Sequence, residues 1–183
     1  MRFTLSTTHW INEAKHVVSP FYDERSDDLD ISLLVVHNIS LPPGQFGGPY
    51  IEQLFTGKLD PTEHPFFNVI YQFKVSAHCL IRRDGSVIQF VPFNSRAWHA
   101  GASSFAGRSK CNDYSIGIEL EGTDSVAYTE EQYQSLASLT KVIQQHYPLV
   151  KDDRITGHQY IAPLRKTDPG LSFHWEKYNK LRK

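Results

Sequence analysis

Two histidines and an aspartate lie where they could bind a metal ion together. His37 ends the segment 32–37, which is continuously apolar and predicts a buried strand. His158 and Asp168 lie in the stretch 158–170, which is bounded by proline and glycine and follows a second short strand. Imidazole nitrogen and carboxylate oxygen both bind Zn²⁺, and a catalytic zinc takes three protein ligands and a water. The sequence therefore predicts a zinc site made of His37, His158 and Asp168, with the fourth position open.

Glu119 is the candidate general base. It lies in the segment 114–120, where apolar residues alternate with small or polar ones, and the period of a strand places it on the same face as Glu121. A carboxylate in so apolar a strand is costly unless it is paired or used in chemistry. Beside a zinc-bound water, Glu119 would accept a proton during attack and then protonate the leaving amine.

Each of these residues also has a plainer interpretation. His37 could be satisfied by local hydrogen bonds, and Asp168 could cap a turn before Pro169. Lys166, which shares the loop with Asp168, could be a solvated side chain.

A series of motifs, in the same order over nearly the whole chain from residue 19, resembles the AmpD-type zinc amidases. These are family 2 N-acetylmuramoyl-L-alanine amidases, related to peptidoglycan-recognition proteins. The resemblance implies hydrolysis of the amide between the lactyl group of 1,6-anhydro-N-acetylmuramic acid and L-alanine, in muropeptides returned to the cytoplasm during peptidoglycan recycling. The motifs occupy residues 33–44, 66–67, 75–85, 96–101, 111–124, 157–158 and 165–170.

The resemblance also implies roles for individual residues. His37, His158 and Asp168 match the zinc-binding positions of the family, and Glu119 matches the general base. Lys166 matches the cation that stabilises the oxyanion. The related peptidoglycan-recognition proteins often have cysteine where this chain has Asp168, which favours the AmpD branch. The fold implied is α/β, a single domain with a central mixed β-sheet flanked by α-helices.

Four further residues are candidates for binding substrate. Trp98 offers an aromatic face to the apolar surface of a sugar, although it could instead fill the core. Asn38, next to His37, could hydrogen-bond the substrate or tie the following loop. Lys74 and Lys110 stand where AmpD-type chains often have arginine, so the charge is kept without the bidentate fork that suits carboxylates. We expect them to bind the acidic stem peptide.

The remaining histidines and the cysteines are weaker candidates. His78 and Cys79 are neighbours on a predicted strand and so point to opposite faces. We expect Cys79 to pack in the core, whereas His78 is a candidate for lining the cleft. His64 and His99 are further possible ligands, each in a loop without a suitably spaced partner.

Alternating strands and helices must position these side chains. Beyond the segments above, the sequence predicts a loop at 40–48, a helix at 49–55, a hairpin of 77–81 with 87–91, and a strand at 154–158. A capping box at 129–132 predicts the main helix, and 172–181 predicts a closing helix. Residues 1–30 are expected to be an irregular lead-in of the same domain, and 31–183 the zinc amidase domain.

Composition sets limits on the class of protein. The 183 residues carry 19 basic and 20 acidic side chains, a net charge of −1, which gives no reason to expect nucleic acid as a partner. No apolar run suits a membrane span or a secretory signal, so we expect a cytoplasmic protein without membrane contact or an obligate protein partner. The two cysteines form neither a CxxC pair nor a disulfide framework.

Two other functions are compatible with the sequence. One is a muropeptide-binding sensor with the same fold and no turnover, which the full set of candidate ligands and Glu119 disfavours. The other is an amidase that acts on the intact wall outside the cytoplasm, which the absence of a signal segment disfavours.

Overall fold

A six-stranded mixed sheet lies at the centre of the structure, a computed structural model that describes residues 2–183. Its strand order is β1-β5-β4-β9-β3-β10, with the β4–β5 pair antiparallel and the other pairs parallel. Two small antiparallel ribbons, β2–β6 and β7–β8, lie beside it. The strands are β1 Lys15–His16, β2 Tyr22–Glu24, β3 Leu33–Ile39, β4 Cys79–Ile81, β5 Val87–Gln89, β6 Ser95–Ala97, β7 Ser104–Phe105, β8 Arg108–Ser109, β9 Ser115–Glu121 and β10 Ile155–Gly157.

Helices cover both faces of the sheet, which confirms the predicted fold class. The long helix begins at the predicted capping box, in which the Thr129 hydroxyl accepts from Gln132 N and the Gln132 side chain accepts from Thr129 N. It covers one face together with the closing helix. The helices are α1 Tyr50–Phe55, α2 Phe67–Ile70, α3 Glu130–His146, α4 His158–Ile161 and α5 Trp175–Arg182.

One face of strands β3 and β9 packs in the core, and the opposite face carries the candidate site residues. Leu34 and Val36 of β3 and Ile116 and Ile118 of β9 pack in the core beneath α3 and α5. The opposite face carries alternate residues, and the parallel register sets His37 directly beside Glu119. On this face one apolar cluster lies under α1 and α2 and another lies near α4. The candidate site residues are therefore on the face away from α3.

The predicted elements are present with shifted ends. Strand β3 continues two residues past His37, and His158 begins a short helix instead of ending a strand. The loop at 40–48 has no helix or strand, as expected.

Residues 2–30, predicted as an irregular lead-in, contribute the short strands β1 and β2 and the buried side chains of Phe3 and Ile11. The buried Arg25 guanidinium donates to the carbonyl oxygens of Asn112, Asp113 and Ser115 at 2.7–3.0 Å. Met1 lies outside the described residues. Across residues 2–183, no helix combines the length and apolarity needed to cross a bilayer.

Candidate active site

Three ligand-type atoms converge on one point at the end of β3. His37 Nδ1 lies 3.0 Å from His158 Nδ1, and Asp168 Oδ2 lies 3.1 Å from the first and 3.0 Å from the second. Among residues 2–183, these three side chains form the one group of three or more His, Cys, Asp or Glu whose ligand atoms come this close together. Both histidines are buried, and Asp168 is half-buried. The structure thus brings together the residues that the sequence singled out.

The dimensions of this triangle suit a zinc ion. Zinc–ligand bonds of about 2.0–2.1 Å in a tetrahedron separate neighbouring ligand atoms by about 3.3 Å, close to the observed edges. The tautomer of His158 also fits, because its Nε2 is 3.2 Å from the carbonyl oxygen of Ala100, which can only accept a hydrogen bond. With its hydrogen on Nε2, His158 therefore points the Nδ1 lone pair at the centre. With His37 Nδ1 and the Asp168 carboxylate also directed there, the three side chains present the kinds of donor atom that zinc binds.

The protonation of the ligands agrees with metal binding. Burial lowers the pKa of His37 to about 4, although Asp168 acts in the opposite direction, so the imidazole is neutral at pH 7. Burial opposes ionisation of Asp168, yet the imidazoles of His158 and His37, whose Nδ1 atoms lie 3.0–3.1 Å from its Oδ2, hold the pKa of that carboxyl well below its usual range. Neutral imidazole and carboxylate are the forms that bind a metal ion.

Glu119 is a buried carboxyl group beside this triangle. Only 8% of its surface is exposed, and its Oε2 has no hydrogen-bond partner among residues 2–183. Burial raises the pKa of Glu119 well above its usual range, the negative charge of Asp168 raises it further, and Lys166 lowers it. A carboxyl group with a raised pKa holds a proton more tightly than an ordinary carboxylate, which suits a general base that later acts as an acid.

An open cavity of about 570 Å³ lies next to Asp168. Lys166 lines it, and the charge of this lysine acts on both Glu119 and His37. Loops supply the walls, since Ser40, Pro43 and Gly44 lie on one side and residues 165–168 and 123–125 on the other. The site therefore opens to solvent on the side where Lys166 stands.

The loop that carries Asp168 is fixed against the segment that follows β9. Gly170 has a φ of +79°, and a Cβ atom there would lie 2.2 Å from the Cα of Asp124, so no other residue fits without moving the chain. Tyr128 adds a hydrogen bond from its hydroxyl to the carbonyl oxygen of Pro169 at 2.8 Å. Asp168 is thus held in place by contacts of residues 169–170 with residues 124–128.

Comparison with known proteins identifies the family. The family model described as N-acetylmuramoyl-L-alanine amidase matches residues 27–171. The 1,6-anhydro-N-acetylmuramyl-L-alanine amidase AmpD of Citrobacter freundii is 60% identical over 172 residues, which are 94% of this chain and 91% of that protein. The chain belongs to the N-acetylmuramoyl-L-alanine amidase family. It is an amidase of this class, and its resemblance to the AmpD type is confirmed.

Solved structures agree with this assignment. A crystal structure of a selenomethionine derivative of AmpD has a TM-score of 0.95 at 58% identity and covers 98% of this chain and 100% of its own. The Escherichia coli amidase AmiD, solved in complex with the substrate anhydro-N-acetylmuramic acid-L-Ala-D-γ-Glu-L-Lys, has a TM-score of 0.61 at 29% identity. That match covers 83% of this chain and 57% of AmiD.

The remaining histidines of the amidase take other positions. His78 is fully buried and does not line the cavity, because its Nδ1 accepts from Gly117 N at 3.0 Å and its Nε2 lies 3.1 Å from Ser95 O. Burial, followed by the charge of Arg25, lowers the pKa of His78 to about 3. His64 lies in the turn before α2, where its Nδ1 accepts from Phe66 N. His99 contacts His37 itself, with its Nδ1 2.9 Å from His37 Nε2.

Of the four predicted substrate-binding residues, only Asn38 lines the cavity beside Asp168. Asn38 lines the cavity, but its amide donates to Asp124 Oδ1 at 2.8 Å, which is the loop-tying contact. Trp98 is half-buried and stacks on Phe21, with ring centroids 6.4 Å apart, while its Nε1 donates to Asp23.

The two lysines lie elsewhere on the surface. Lys74 is exposed in the segment after α2. Lys110 lines a separate cavity of about 620 Å³ with Arg25 and Arg96. Neither lysine lines the cavity beside Asp168.

Sequence reasoning gave no role to the neighbours of the two histidines. The sequence offers His99 only as a possible ligand and does not point to Ala100. The signal available in the sequence was Gly117, because a glycine inside a strand often marks a close approach by another group. A Cβ atom at Gly117 would lie 2.5 Å from the ring of His99.

Proposed function

We propose that this amidase is a zinc enzyme that cleaves the bond between the lactyl group of 1,6-anhydro-N-acetylmuramic acid and L-alanine in muropeptides. The observation that carries the proposal is the convergence of His37 Nδ1, His158 Nδ1 and Asp168 Oδ2 within 3.0–3.1 Å of one another, beside the buried Glu119. The names of the AmpD relatives supply the substrate class. The AmiD complex supports a muropeptide as ligand.

In this proposal His37, His158 and Asp168 hold the metal. Bound zinc would supply a Lewis acid and lower the pKa of a coordinated water. Glu119 accepts a proton from the attacking water and returns it to the departing amine of L-alanine, so that no net proton is consumed by the protein. Lys166 stabilises the negative charge that develops on the amide oxygen. Its position at the cavity beside Asp168 supports that role.

Substrate binding by Trp98, Lys74, Lys110 and Asn38 is part of the same proposal. The two lysines are exposed cations of the kind that an acidic stem peptide would meet, and the half-buried Trp98 could contact the sugar on its free side. We further propose that the enzyme acts on recycled muropeptides in the cytoplasm, which the close similarity to AmpD amidases over nearly their full lengths supports. Fractionation of cells and detection of the protein in each fraction would test the location.

The decisive experiment is mass spectrometry of reaction products. Purified protein is incubated with an anhydromuropeptide and with its non-anhydro counterpart, each with and without a chelator. We expect release of the intact peptide from the anhydro substrate, suppression by the chelator and recovery on adding zinc. Binding of the anhydromuropeptide without cleavage would favour the sensor function instead. Equal cleavage of the amide in both substrates would contradict the proposal that the anhydromuropeptide is the specific substrate.

A further inference from the structure

One dipeptide, His99–Ala100, forms hydrogen bonds with both histidines that are proposed as metal ligands. Each of the two histidines uses the ring nitrogen that faces away from the metal position. His37 Nε2 contacts His99 Nδ1 at 2.9 Å, and His158 Nε2 donates to the carbonyl oxygen of Ala100 at 3.2 Å. His37 and His158 are 121 residues apart, whereas their partners are consecutive. We propose that His99 is a positioning residue that, together with the backbone of Ala100, orients both histidines for metal binding. This inference rests on the proposed zinc site.

The directions of the hydrogen bonds follow from the chemistry of the donors. If His37 Nδ1 holds the metal, its Nε2 carries the hydrogen and donates to His99 Nδ1. His99 must then carry its own hydrogen on Nε2, where Ser115 Oγ lies at 3.2 Å and can accept it. A metal-bound histidine usually donates to a carboxylate, a carbonyl or water. Here a neutral imidazole has that role for His37, and Ser115 fixes its tautomer.

The dipeptide is itself fixed on both sides. Asn112 Oδ1 accepts from the backbone nitrogens of both His99, at 3.2 Å, and Ala100, at 2.8 Å. Arg165 donates from Nη2 to the same Ala100 carbonyl oxygen at 2.6 Å, and it lies three residues before Asp168 in the loop that carries the third ligand. These bonds connect the surroundings of all three ligands through a single segment of backbone.

Strand β9 leaves the space that the ring of His99 needs. Gly117 lies on the face of β9 that also carries Ser115 and Glu119, and a Cβ atom there would be 2.5 Å from the His99 ring. Glycine therefore allows His99 to lie against the sheet and reach His37, while Ser115 bonds the far side of the ring. The space at Gly117 and the contact with Ser115 therefore define the position of the His99 ring, in addition to its short distance from His37.

A matched pair of variants tests the hydrogen bond. In His99→Asn, a side-chain oxygen replaces Nδ1 as acceptor, whereas His99→Leu has a similar size and no acceptor. We measure zinc affinity of the metal-free proteins by competition with a chelator, and kcat and KM of the zinc-loaded proteins. We expect His99→Leu to bind zinc about 10–100-fold more weakly and His99→Asn to recover most of that loss. KM should change little, since His99 is not proposed to touch substrate.

The outcomes separate the inference from the proposed function. Equal loss of zinc affinity in His99→Leu and His99→Asn would show that only the packing of the ring matters and would overturn the positioning role. Wild-type affinity in His99→Leu would do the same. A wild-type protein that binds no zinc would instead overturn the metal site itself.

A variant in strand β9 provides a second test in case the His99 variants do not fold. Ser115→Ala keeps the ring and removes only the side-chain acceptor of its Nε2 hydrogen. We expect weaker zinc binding in the same direction, with a smaller change. Unchanged affinity in folded Ser115→Ala, with His99→Leu unable to fold, would count against the proposed chain of bonds.

Discussion

Glu119 and Glu121 lie two residues apart on the same face of β9, both with less than a tenth of their surface exposed, and only Glu121 is fully compensated. The Glu121 carboxylate accepts from Arg82 Nη1 at 2.7 Å, from Gly47 N at 2.7 Å and from Arg83 N at 3.2 Å. Glu119 Oε2 has no such partner within residues 2–183. One carboxylate therefore stabilises the fold, while the other is held in an unfavourable state that suits proton transfer.

The contrast between the two carboxylates predicts that replacing each of them by glutamine changes the free energy of unfolding in opposite directions. Glu121→Gln should destabilise the protein by about 3 kcal/mol, the lower end for breaking a buried ion pair, because Arg82 keeps Glu52 as a second partner. Glu119→Gln should stabilise the metal-free protein at neutral pH, since folding of the wild type must either bury the charge of Glu119 or take up a proton, and the amide requires neither. Urea unfolding of the metal-free variants measures both effects. Destabilisation by Glu119→Gln at neutral pH would contradict the interpretation.

The stabilisation by Glu119→Gln should depend on pH. Because burial raises the pKa of Glu119 in the folded protein, the neutral form is favoured there, and its contribution is fully present below the unfolded pKa of about 4.3. That contribution is lost as the pH rises through the higher folded pKa. The difference in unfolding free energy between Glu119→Gln and wild type should therefore grow from pH 4 towards neutral pH. A difference that is constant with pH would exclude a raised pKa.

The activity of Glu119→Gln should be low although the site remains intact. The amide cannot accept a proton from the attacking water, so kcat should fall by about 10²–10⁴. Zinc content and substrate affinity should stay near the wild-type values. Metal analysis and steady-state kinetics of the same preparation measure these quantities, and near-wild-type turnover would remove Glu119 from the mechanism.

Zinc should stabilise the protein through the three proposed ligands. At a free concentration 1,000 times the Kd, binding to the folded state adds about 4 kcal/mol, which raises Tm by about 8–16 °C in a chain of this size. Metal analysis should find about one equivalent of zinc per chain, as expected for a single site. The double variant His37→Ala, His158→Ala should show neither the shift nor the metal. His64→Ala, a control for a histidine outside the site, should keep both.

Lys166 and Lys110 should differ in the kinetic constant that they affect. Lys166→Ala should keep zinc and lose about 10²–10³ in kcat, because a cation near the developing oxyanion is removed. Lys110→Ala should mainly raise KM, because Lys110 lines a different cavity and could meet only the peptide part of a substrate. Loss of zinc from Lys166→Ala, or an effect confined to KM, would contradict the assignment.

Neither cysteine should be needed for catalysis. Cys79 is buried under α3, where burial raises the pKa of its thiol, and the Cys111 sulfur lies 3.3 Å from the Tyr114 hydroxyl. The double variant Cys79→Ala, Cys111→Ser should keep zinc and turnover once its folding has been checked by circular dichroism. Loss of either property in the folded variant would show a role that the structure does not suggest.

The sequence predicted the groups at the centre of the site better than their surroundings. His37, His158, Asp168 and Glu119 were found because each is a reactive type of residue at a strand or loop that patterning locates well. Their convergence depends on parallel pairing of β3 with β9 and β10, which the alternation of strands and helices made plausible. The zinc and catalytic roles themselves stay predictions.

The surroundings were harder because they depend on distant loops. The backbone of His99 is held by Asn112, 13 residues further along the chain, whose Oδ1 accepts from its nitrogen. His78, a candidate for lining the cleft, is instead buried. Gly117 N and Ser95 O satisfy its ring from segments that periodicity does not relate to it. Patterning gives the face of a strand but not the path of the loop that crosses it.

Because Arg25 supports the fold from outside the family match, the segment that contains the proposed reacting residues is shorter than the segment needed for folding. The family match, residues 27–171, contains every proposed ligand and catalytic residue, but it excludes Arg25 and all of α5. An excised 27–171 fragment would leave the carbonyl oxygens of Asn112 and Ser115 without the guanidinium, and the Thr140 hydroxyl without its bond to Tyr178. Shortened versions for engineering should therefore keep both ends of the chain, even though neither end supplies a reacting group.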